Sequence, residues 1–397
     1  MKALVVGGGI AGPATAMALH QVGIEAVVLE SRAHIDRDAG SYLGLAPNGL
    51  SALDAIGALD LAHSVGTSTR SHVMFGATGR RLGTLTAGTP LADGTQALTM
   101  KRSHLGWLLT AEARARGIEV REDAKVVSAR TDRDHASVQL ADGSELTADL
   151  VIGADGVHSK VRRAIDADAP TPRFVGLTNF GGITRDTALA AELPEESWSF
   201  IFGRRSFFGA HPTPDGDVVW FVNVPEPEIT TERRASTSLD QWQQHLAELA
   251  SVDAGPARAL IESGELELAG DNTYDLPHVP VWHRGRLAIL GDALHAPSPS
   301  SGQGASMALE DAVVMAASLR DSDSEAGAFA AFESARRARV ERIVAVGARS
   351  SSSKIPGRIG RVPMEAMMRL VFRYLVTERG QSWMTGHRVH LGANQRL

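Results

Sequence analysis

The first thirty residues alternate between patterns typical of a buried strand and of a helix. An apolar run at residues 2–6 leads into a glycine-rich turn at residues 7–12. Apolar residues at helical spacing follow from Pro13 to Val22, and a second apolar run extends from Ala26 to Glu30. Gly23 between them is typical of a helix end. The pattern therefore predicts a strand–helix–strand unit at the start of the chain.

Between residues 71 and 153 the pattern predicts a hairpin, one amphipathic helix and several short strands. The hairpin turns at Thr78-Gly79. The helix places Leu105, Leu109 and Ala113 on one face. A further turn is predicted at Asp142-Gly143. The predicted bounds are 71–76 and 81–86 for the hairpin, 103–116 for the helix, and 118–121, 124–129, 137–140 and 149–153 for the other strands.

From residue 172 to residue 224 the chain carries aromatic residues at alternating positions. This pattern predicts strands at Trp198–Phe202, Phe207–His211 and Val218–Val224. We interpret them as a sheet of different character that is inserted into the first domain. The remaining predicted elements are helices at 238–250, 254–263, 304–320 and 325–349 and a buried strand at 287–290.

Composition and charge narrow the classes of partner. The chain has 397 residues and a net charge of -6, from 46 acidic and 40 basic residues, which argues against nucleic acid or an anionic membrane as the main partner. It contains no cysteine, so disulfides and thiolate chemistry are excluded. The N-terminus lacks the pattern of a signal peptide, and no run reaches the ~18 apolar residues of a membrane span. We therefore expect a soluble, cytoplasmic protein.

The turn after the first strand has the spacing Gly7-x-Gly9-x-x-Gly12. Such glycines permit a tight turn, bring the backbone close to a pyrophosphate and allow close packing of helix and strand. The helix N-terminus then offers amides and the positive end of its dipole. Glu30, at the end of the second strand, would accept hydrogen bonds from ribose hydroxyls and repel a 2′-phosphate. The motif predicts FAD or NAD in this cleft.

Two later motifs distinguish between these cofactors. The first includes Asp155-Gly156, and the second comprises the run from Gly291 to His295 followed by Gly302-Gln303-Gly304. With Pro47-Asn48 and Arg102 in the same order, the chain resembles the class A flavoprotein monooxygenases, the family of p-hydroxybenzoate hydroxylase, salicylate hydroxylase and kynurenine monooxygenase. The resemblance extends over nearly the whole chain.

The resemblance implies non-covalent FAD and assigns its contacts. Asp292 would bind the ribityl hydroxyls, Arg102 the phosphate or ribityl region, and the amides before the helix at residue 304 the pyrimidine end of the flavin. Asp311, inside that helix, is expected to make local contacts. The predicted cofactor-binding residues are Gly7, Gly9, Ile10, Ala11, Gly12, Glu30, Arg32, Ser41, Arg102, Val127, Asp155, Gly291, Asp292, Pro299, Ser301, Gly302, Gln303 and Gly304.

The same resemblance gives the predicted architecture. We expect an α/β fold with a discontinuous, Rossmann-like FAD-binding domain like that of p-hydroxybenzoate hydroxylase, an inserted β-sheet substrate domain and C-terminal helices. The expected bounds are 1–70, 101–171 and 276–349 for the FAD-binding domain, 71–100 and 172–275 for the substrate domain, and 350–397 for the C-terminal helical segment.

The implied activity is monooxygenation of an aromatic or conjugated small molecule, such as a natural-product intermediate, by NAD(P)H and O2 through a flavin hydroperoxide. No second Gly-x-Gly-x-x-Gly motif opens a strand–helix unit, so NADH or NADPH would bind transiently at the surface. His211 is a candidate general base or hydrogen-bond donor, with a purely structural histidine as the alternative. No metal site is expected. The substrate-pocket candidates are Gly209, His211, Thr213, Phe221, Asn223 and Pro299.

Two alternatives remain open from the sequence. Another FAD oxidoreductase of the same fold, of the halogenase or prenyl reductase type, would share the cofactor motifs, although the halogenase segment Trp-x-Trp-x-Ile-Pro is absent. A non-catalytic flavin-binding protein would also share them. Oxygen incorporation into a product distinguishes a monooxygenase from both.

Overall fold

The computed structural model describes residues 1–34, 36, 37, 40–297, 301–352 and 378–392. Strands and helices alternate in its first part, and the strands of a large sheet dominate its middle. The strands are β1 (Lys2–Val6), β2 (Glu25–Leu29), β3 (Tyr42–Leu45), β4 (Thr67–Thr69), β5 (Ser71–Gly76), β6 (Arg81–Thr86), β7 (Ala97–Lys101), β8 (Glu119–Arg121), β9 (Val126–Thr131), β10 (Ala136–Leu140), β11 (Glu145–Ala148), β12 (Leu150–Gly153), β13 (Arg173–Thr184), β14 (Ser197–Phe202), β15 (Phe207–Pro212), β16 (Val218–Pro225), β17 (Glu265–Asp275), β18 (His283–Arg284) and β19 (Leu287–Ile289).

The helices surround these sheets, and two short 3₁₀ turns (Ala188–Glu192 and Gly291–Ala293) connect elements. Several helices begin at residues that favour this position, such as Pro47 at the first turn of its helix and Ser238 in a capping box with Gln241. The α-helices are α1 (Ala11–Gln21), α2 (Pro47–Ala55), α3 (Leu59–Val65), α4 (Arg102–Ala115), α5 (Lys160–Ile165), α6 (Thr231–Ser236), α7 (Leu239–Ala250), α8 (Ala257–Ser263), α9 (Gly304–Asp321), α10 (Glu325–Ser352) and α11 (Glu378–Thr385).

A six-stranded sheet forms the centre of the first domain, in the order β18-β19-β12-β1-β2-β8. Strand β1 is parallel to β2 on one side and to β12 on the other. Its residues from Ala3 to Val6 are buried, as are the residues of β12, because α1 packs against β1, and the strands β10 and β11 of a separate three-stranded sheet pack against β12 and β1. The glycine-rich turn therefore lies at the carboxyl edge of a central parallel strand, where α/β sheets bind their ligands.

The larger sheet is mixed and has seven strands, in the order β17-β13-β16-β15-β14-β5-β6. One face packs on α7 and α8, with Phe180, Trp220 and Trp242 in its core. The opposite face carries Trp198 and Phe221 and meets Tyr42 of β3. Strand β3 belongs to a separate small sheet with β7 and β4. The second face of the large sheet thus turns towards the FAD-binding part of the chain.

The hydrophobic pattern predicted most elements of both sheets to within a few residues, but it missed the two long strands β13 and β17. These strands pair with each other through several register shifts, and their alternation is interrupted by Gly176, Gly181 and Gly182. The predicted insertion 71–100 is divided between sheets, because β5 and β6 join the large sheet whereas β7 pairs with β3 and β4. Of the predicted C-terminal helical segment, the described residues form α11 and an extended stretch up to residue 392. Within the ranges described, no helix is long and apolar enough to cross a membrane.

Candidate functional site

In the glycine turn between β1 and α1, Gly7 and Gly12 lie close to other backbone atoms, whereas Gly9 faces open space. Gly7 has φ of +111°, and a Cβ there would lie 2.3 Å from the carbonyl oxygen of Ala154. A Cβ at Gly12 would lie 1.8 Å from the carbonyl oxygen of Gly7. A Cβ at Gly9 would meet nothing within 4 Å. Gly7 and Gly12 are therefore required by the fold itself, whereas Gly9 faces the space that a pyrophosphate would occupy.

Glu30 lies beneath this turn and is almost fully buried. Its Oε2 accepts a hydrogen bond from the amide of Gly8 at 2.7 Å, and its Oε1 accepts one from the amide of Arg32 at 2.9 Å. The guanidinium of Arg32 extends outward and is 75% exposed. The carboxylate thus fixes the turn and the end of β2 at the same time. Hydrogen bonding of Glu30 to a ribose stays a prediction.

Arg102 and Asp292 lie opposite each other near the start of α9. Nη2 of Arg102 is 3.9 Å from Oδ2 of Asp292, and both side chains are partly exposed, at 64% and 37%. The amide of Arg102 donates to the carbonyl of Ser41 at 3.0 Å. A Cβ at Gly181 of β13 would lie 3.8 Å from Cβ of Ser41. The two residues predicted to bind the ribityl and phosphate groups are therefore linked through Ser41 to the large sheet.

Gly291 joins this region to the phosphate turn. It has φ of +59°, and a Cβ there would lie 3.3 Å from Cβ of both Ala11 in α1 and Ala308 in α9. Ile10 precedes α1 as its N-cap residue. The N-terminal ends of α1 and α9 thus converge on the segment that carries Asp292.

The predicted flavin-ring segment is only partly described. The amide of Gln303 donates to Oγ of Ser301 at 3.2 Å, and its side chain bonds to Asn48. A Cβ at Gly304 would lie 3.8 Å from Oδ1 of Asp292, and Gly302 has φ of +60°. Pro299, predicted to border both the flavin and the substrate, lies outside the described residues.

Two predicted cofactor contacts, Asp155 and Val127, differ in their surroundings. The carboxylate of Asp155 accepts hydrogen bonds from Oγ of Ser159 at 2.5 Å and from the amide of Lys160 at 2.7 Å, so it caps the start of α5. Burial raises the pKa of Asp155, although these hydrogen bonds oppose the shift. The side chain of Val127 is 42% exposed on β9. The contact of Val127 with the cofactor stays a prediction.

A layer of aromatic rings covers the face of the large sheet that turns towards Tyr42. The rings of Trp198 and Phe200 are stacked, with centroids 5.8 Å apart, and Phe221 lies 5.4 Å from Trp198. Phe207 is 5.9 Å from Phe221. We call Trp198, Phe200, Phe207 and Phe221 the aromatic layer.

The resemblance to the family assigned His211 and Phe221 to the pocket side, and alternation put Gly209 on the same face as His211. Gly209 and Phe221 both lie on the face of the aromatic layer. A Cβ at Gly209 would be 2.4 Å from Cε1 of Phe221, so the glycine lets the ring rest on β15. Asn223 is buried and donates from Nδ2 to Oδ1 of Asn179 at 2.9 Å. Thr213 follows the end of β15 and lies in the turn to β16, where its amide donates to the carbonyl of Asp217 at 2.8 Å.

His211 lies at one end of the aromatic layer and is fully buried. Its Nε2 is 3.0 Å from Oγ1 of Thr69, which is 2.8 Å from Oγ1 of Thr99. Nε1 of Trp198 donates to Thr99 at 2.7 Å. Burial lowers the pKa of His211 to about 4, so the imidazole is neutral at neutral pH. This enclosed position favours the structural interpretation of His211 over the catalytic one.

Sequence reasoning missed a set of buried charges under α9. Asp311 was expected to make local contacts, and this expectation is wrong. Its Oδ2 accepts from the amide of Gly291, 20 residues earlier, at 3.0 Å, and its Oδ1 accepts from Nε of Arg336, 25 residues later, at 2.7 Å. The signal in the sequence was the pair of acids at 310 and 311 inside an otherwise apolar helix, since buried charges need partners.

The site residues fit FAD on structural grounds. The space beside Gly9 is open, the first amides of α1 face it, and a buried carboxylate closes the end of β2. Arg102 and Asp292 supply a cation and an anion farther along the cleft. The arrangement therefore suits an extended dinucleotide whose pyrophosphate lies at the turn and whose ribityl chain passes Asp292.

Fold and site together define an FAD-binding oxidoreductase with a doubly covered parallel sheet. A family model described as FAD binding domain matches residues 1–347. The chain therefore belongs to this family, and its relatives place it among the class A flavoprotein monooxygenases. The family, the fold class and FAD as cofactor, all predicted from the sequence, are confirmed.

Individual relatives are hydroxylases and monooxygenases. The chain is 30% identical over 349 residues to an FAD-dependent urate hydroxylase of Klebsiella pneumoniae, covering 87% of this chain and 88% of that protein. It is 28% identical over 352 residues to aurachin C monooxygenase/isomerase of Stigmatella aurantiaca, covering 87% of each. The structure resembles Klebsiella pneumoniae HpxO complexed with FAD and uric acid, with a TM-score of 0.81, 25% identity and coverage of 97% of this chain and 96% of that chain. A salicylate hydroxylase substrate complex shares the fold, with a TM-score of 0.77, 21% identity and coverage of 98% and 95%.

Proposed function

We propose that this FAD-dependent monooxygenase uses NADH or NADPH and O2 to hydroxylate a flat, uncharged aromatic molecule. The observation that carries the proposal is the aromatic layer, which lies on the sheet face nearest to Tyr42 and Ser41. Bound FAD would supply the redox chemistry, by which one oxygen atom enters the substrate and the other leaves as water. The chain itself would bind and orient the substrate and exclude water.

The aromatic layer supports a ring-shaped substrate. Phe200 and Phe221 are only partly buried, whereas Trp198 and Phe207 beneath them are nearly enclosed. A substrate ring that stacks on Phe200 or Phe221 would gain from both burial and ring geometry. Polar groups flank the layer at its two ends, with Asn223 paired to Phe207 and His211 paired to Val219 in the sheet register. Those ends are four residues apart, or about 13 Å along the strand, which suits a fused ring system better than a single small ring.

The charge distribution supports an uncharged substrate. From Asn179 to Ile183 on β13, and along β14 to β16, the described side chains on this face carry no charge. Two cations, at the end of β7 and at the start of α4, each lie next to an acid. Nζ of Lys101 donates to Oε1 of Glu267 at 2.7 Å, and Arg102 faces Asp292. A substrate carboxylate would be buried here without a paired cation, which is costly.

Tyr42 adds a neutral polar group beside the layer. It packs against Trp198 and Val219. Burial and the neighbouring Glu267 raise the pKa of Tyr42 well above its ordinary value. Its hydroxyl therefore remains protonated and can donate a hydrogen bond, but it cannot act as a base near neutral pH.

The test measures oxygen transfer directly. The purified holoenzyme is supplied with NADH or NADPH and ¹⁸O₂ and screened against neutral bicyclic and tricyclic phenols and quinolones, each matched with a carboxylated analogue. We expect a product heavier than the substrate by one ¹⁸O atom, and faster, better-coupled turnover for the neutral member of each pair. NAD(P)H consumption without labelled product from any compound would argue against a hydroxylase. Preference for the carboxylated members would contradict the assignment of an uncharged substrate.

A pair of variants tests the role of the aromatic layer. Phe221→Leu removes a partly exposed ring from the layer, and we expect it to raise KM and to increase uncoupled NAD(P)H oxidation. Phe208→Leu is the matched control, because Phe208 lies on the adjacent strand but packs against Trp220 on the opposite face. It should lower the thermal stability and leave KM unchanged. Equal effects of both variants on KM would contradict the proposed binding face.

A further inference from the structure

Four charged side chains meet in the interior between α9 and α10. Glu310 and Asp311 of α9 are fully buried, Arg336 of α10 is 1% exposed, and Arg339 of α10 is 12% exposed. Two carboxylates and two guanidinium groups give this cluster no net charge. Because α10 places Arg336 and Arg339 three residues apart, both reach the same face of α9.

Each carboxylate of the cluster forms an ion pair with at least one of the two arginines. Nη1 of Arg336 donates to Oε2 of Glu310 at 2.5 Å, and Nη2 of Arg339 donates to Oε1 of Glu310 at 2.7 Å. Burial alone would raise the pKa of Glu310, but the two arginines lower it below its ordinary value. Burial likewise opposes ionisation of Asp311, yet His295 and Arg336 lower the pKa of Asp311 to about 2. Both acids are therefore ionised, and each has oxygen atoms left to accept further hydrogen bonds.

Those remaining hydrogen bonds go to the segments that build the cofactor site. Oδ2 of Asp311 binds the amide of Gly291 at 3.0 Å and Nε2 of His295 at 2.6 Å, so it holds the chain on both sides of Asp292. Oε1 of Glu310 accepts from Nδ2 of Asn48 at 2.7 Å. The same Nδ2 donates to Oε1 of Gln303 at 3.0 Å, next to the start of α9.

The cluster also holds the C-terminal part of the chain. Nη1 and Nη2 of Arg339 donate to the carbonyls of Trp383 and Met384 at 2.8 and 2.7 Å. These carbonyls belong to the last turn of α11, where backbone acceptors have no partner within the helix. The guanidinium of Arg342 lies 3.8 Å from the centroid of the Trp383 ring. Val389, farther along, is buried in the main core.

We propose that Arg339 is a positioning residue that couples the C-terminal segment 382–391 to the FAD-binding loops. One guanidinium joins the end of α11 to Glu310, and Glu310 orders Gln303 through Asn48. When the segment is seated, the loops around Asp292 and Gln303 are already in their binding arrangement, so FAD binds without the cost of ordering them. By linkage, bound FAD must stabilise the seating of the segment to the same extent.

Reciprocal coupling is tested by hydrogen exchange on the full-length protein. Amide protection of residues 382–391 is measured with and without saturating FAD, in the wild type and in Arg339→Ala. We expect FAD to increase protection of the segment in the wild type and to have little effect on it in the variant. Protection that is the same with and without FAD in the wild type would overturn the proposal.

Affinity and flavin spectra give a second measurement. Loss of the coupling between two sites typically lowers affinity by about 3- to 30-fold. The apoprotein of Arg339→Ala should therefore bind FAD about 3- to 30-fold more weakly than the wild type. The visible circular dichroism of the bound flavin should also change. Arg339→Lys should restore part of the affinity. The matched control is Arg337→Ala, since Arg337 lies on the same helix but pairs with Glu333 and Glu341 and donates to the carbonyls of Val279 and Pro280, away from the cluster. It should leave the flavin spectrum and affinity at the wild-type values.

A double-mutant comparison separates positioning from general stabilisation. If Arg339 acts through Glu310 and Asn48, the combined variant Arg339→Ala/Asn48→Ala should weaken FAD binding by less than the product of the two single effects. A variant of Arg339 with lowered melting temperature, wild-type FAD affinity and a wild-type flavin spectrum would show that the cluster only stabilises the fold. Multiplicative effects in the double variant would exclude the path through Asn48.

Discussion

Oε2 of Glu30 accepts a hydrogen bond from the amide of Gly8 at 2.7 Å, so the end of β2 holds the middle of the glycine turn. The contact is close on every side, because a Cβ at Gly8 would lie 2.6 Å from that oxygen and 2.7 Å from Cβ of Glu30. Gly8 is not one of the three spaced glycines of the motif. Its side of the turn faces the protein, whereas Gly9 faces the cofactor space.

This difference predicts opposite effects for two neighbouring substitutions. Gly8→Ala should destabilise the apoprotein, because its methyl group displaces a buried carboxylate. Gly9→Ala meets nothing within 4 Å in the chain, so the apoprotein should keep its stability while FAD affinity falls by about ten-fold or more, a cost of at least ~1.4 kcal/mol. Urea unfolding of the apoproteins and FAD titration measure the two effects. A Gly9→Ala variant with unchanged FAD affinity would contradict the placement of the pyrophosphate.

The different surroundings of Asp292 and Asp311 predict that one substitution affects FAD affinity and the other affects stability. Asp292 is 37% exposed beside Arg102, so Asp292→Asn should leave the apoprotein stable and weaken FAD binding by roughly ten- to a hundred-fold, the loss of a charge-assisted hydrogen bond. Asp311→Asn breaks a buried pair with Arg336, which typically costs about 3–5 kcal/mol of stability. Thermal unfolding of both apoproteins and titration with FAD check this. The assignment fails if Asp292→Asn loses stability and keeps its FAD affinity.

The sequence predicted the parts of the fold whose patterns are local. β1, α1 and β2 follow from a short apolar run, helical spacing and glycines, all within thirty residues. β13 and β17 were missed because glycines and register shifts break their alternation, and their pairing depends on residues about ninety positions apart. Strand β7 illustrates the same limit, since only tertiary pairing assigns it to the small sheet.

The candidate site likewise has parts that local motifs predict and parts that depend on contacts between distant residues. The glycine turn, Glu30, Arg102 and Asp292 were predicted from a specific motif order, and their contacts with the cofactor stay predictions. The contacts of Asp311 could not be read from spacing, since Gly291 and Arg336 approach it from opposite directions in the chain. The resemblance placed His211 on the pocket side, but periodicity cannot tell an enclosed position from an open pocket, and the enclosure favours a structural role.

FAD should be held without a covalent bond. The chain has no cysteine for a thioether link, and its 14 histidines leave a histidyl bond as the chemical alternative. Heating the holoprotein and removing the precipitate should therefore leave yellow FAD in the supernatant, at one equivalent per chain. Flavin that remains in the washed precipitate would indicate covalent attachment.

Acid should destabilise the protein through the buried imidazole of His211 as the pH falls below about 6.5. Burial lowers the pKa of His211 to about 4 in the folded chain, and the neighbouring His72 is lowered to about 4 by burial and by His211. An unfolded histidine titrates near pH 6.5. Between these values the unfolded chain binds more protons than the folded chain, so stability rises with pH through this window and is lost as pH falls from 6.5 to 4. For His211 alone the loss is on the order of 3 kcal/mol at pH 4.

Substitution of His211 by glutamine isolates this contribution. His211→Gln keeps a group that can bond to Thr69 but cannot take up a proton, so its unfolding free energy should depend less steeply on pH between 6.5 and 4 than that of the wild type. The matched control is His20→Gln, because His20 is exposed at the end of α1, and its pH dependence should follow the wild type. Urea unfolding of the apoproteins at several pH values provides the measurement. If His211→Gln and the wild type lose stability in parallel, the imidazole takes up a proton as readily in the folded chain as in the unfolded chain, and the assignment of His211 as a neutral structural residue is wrong.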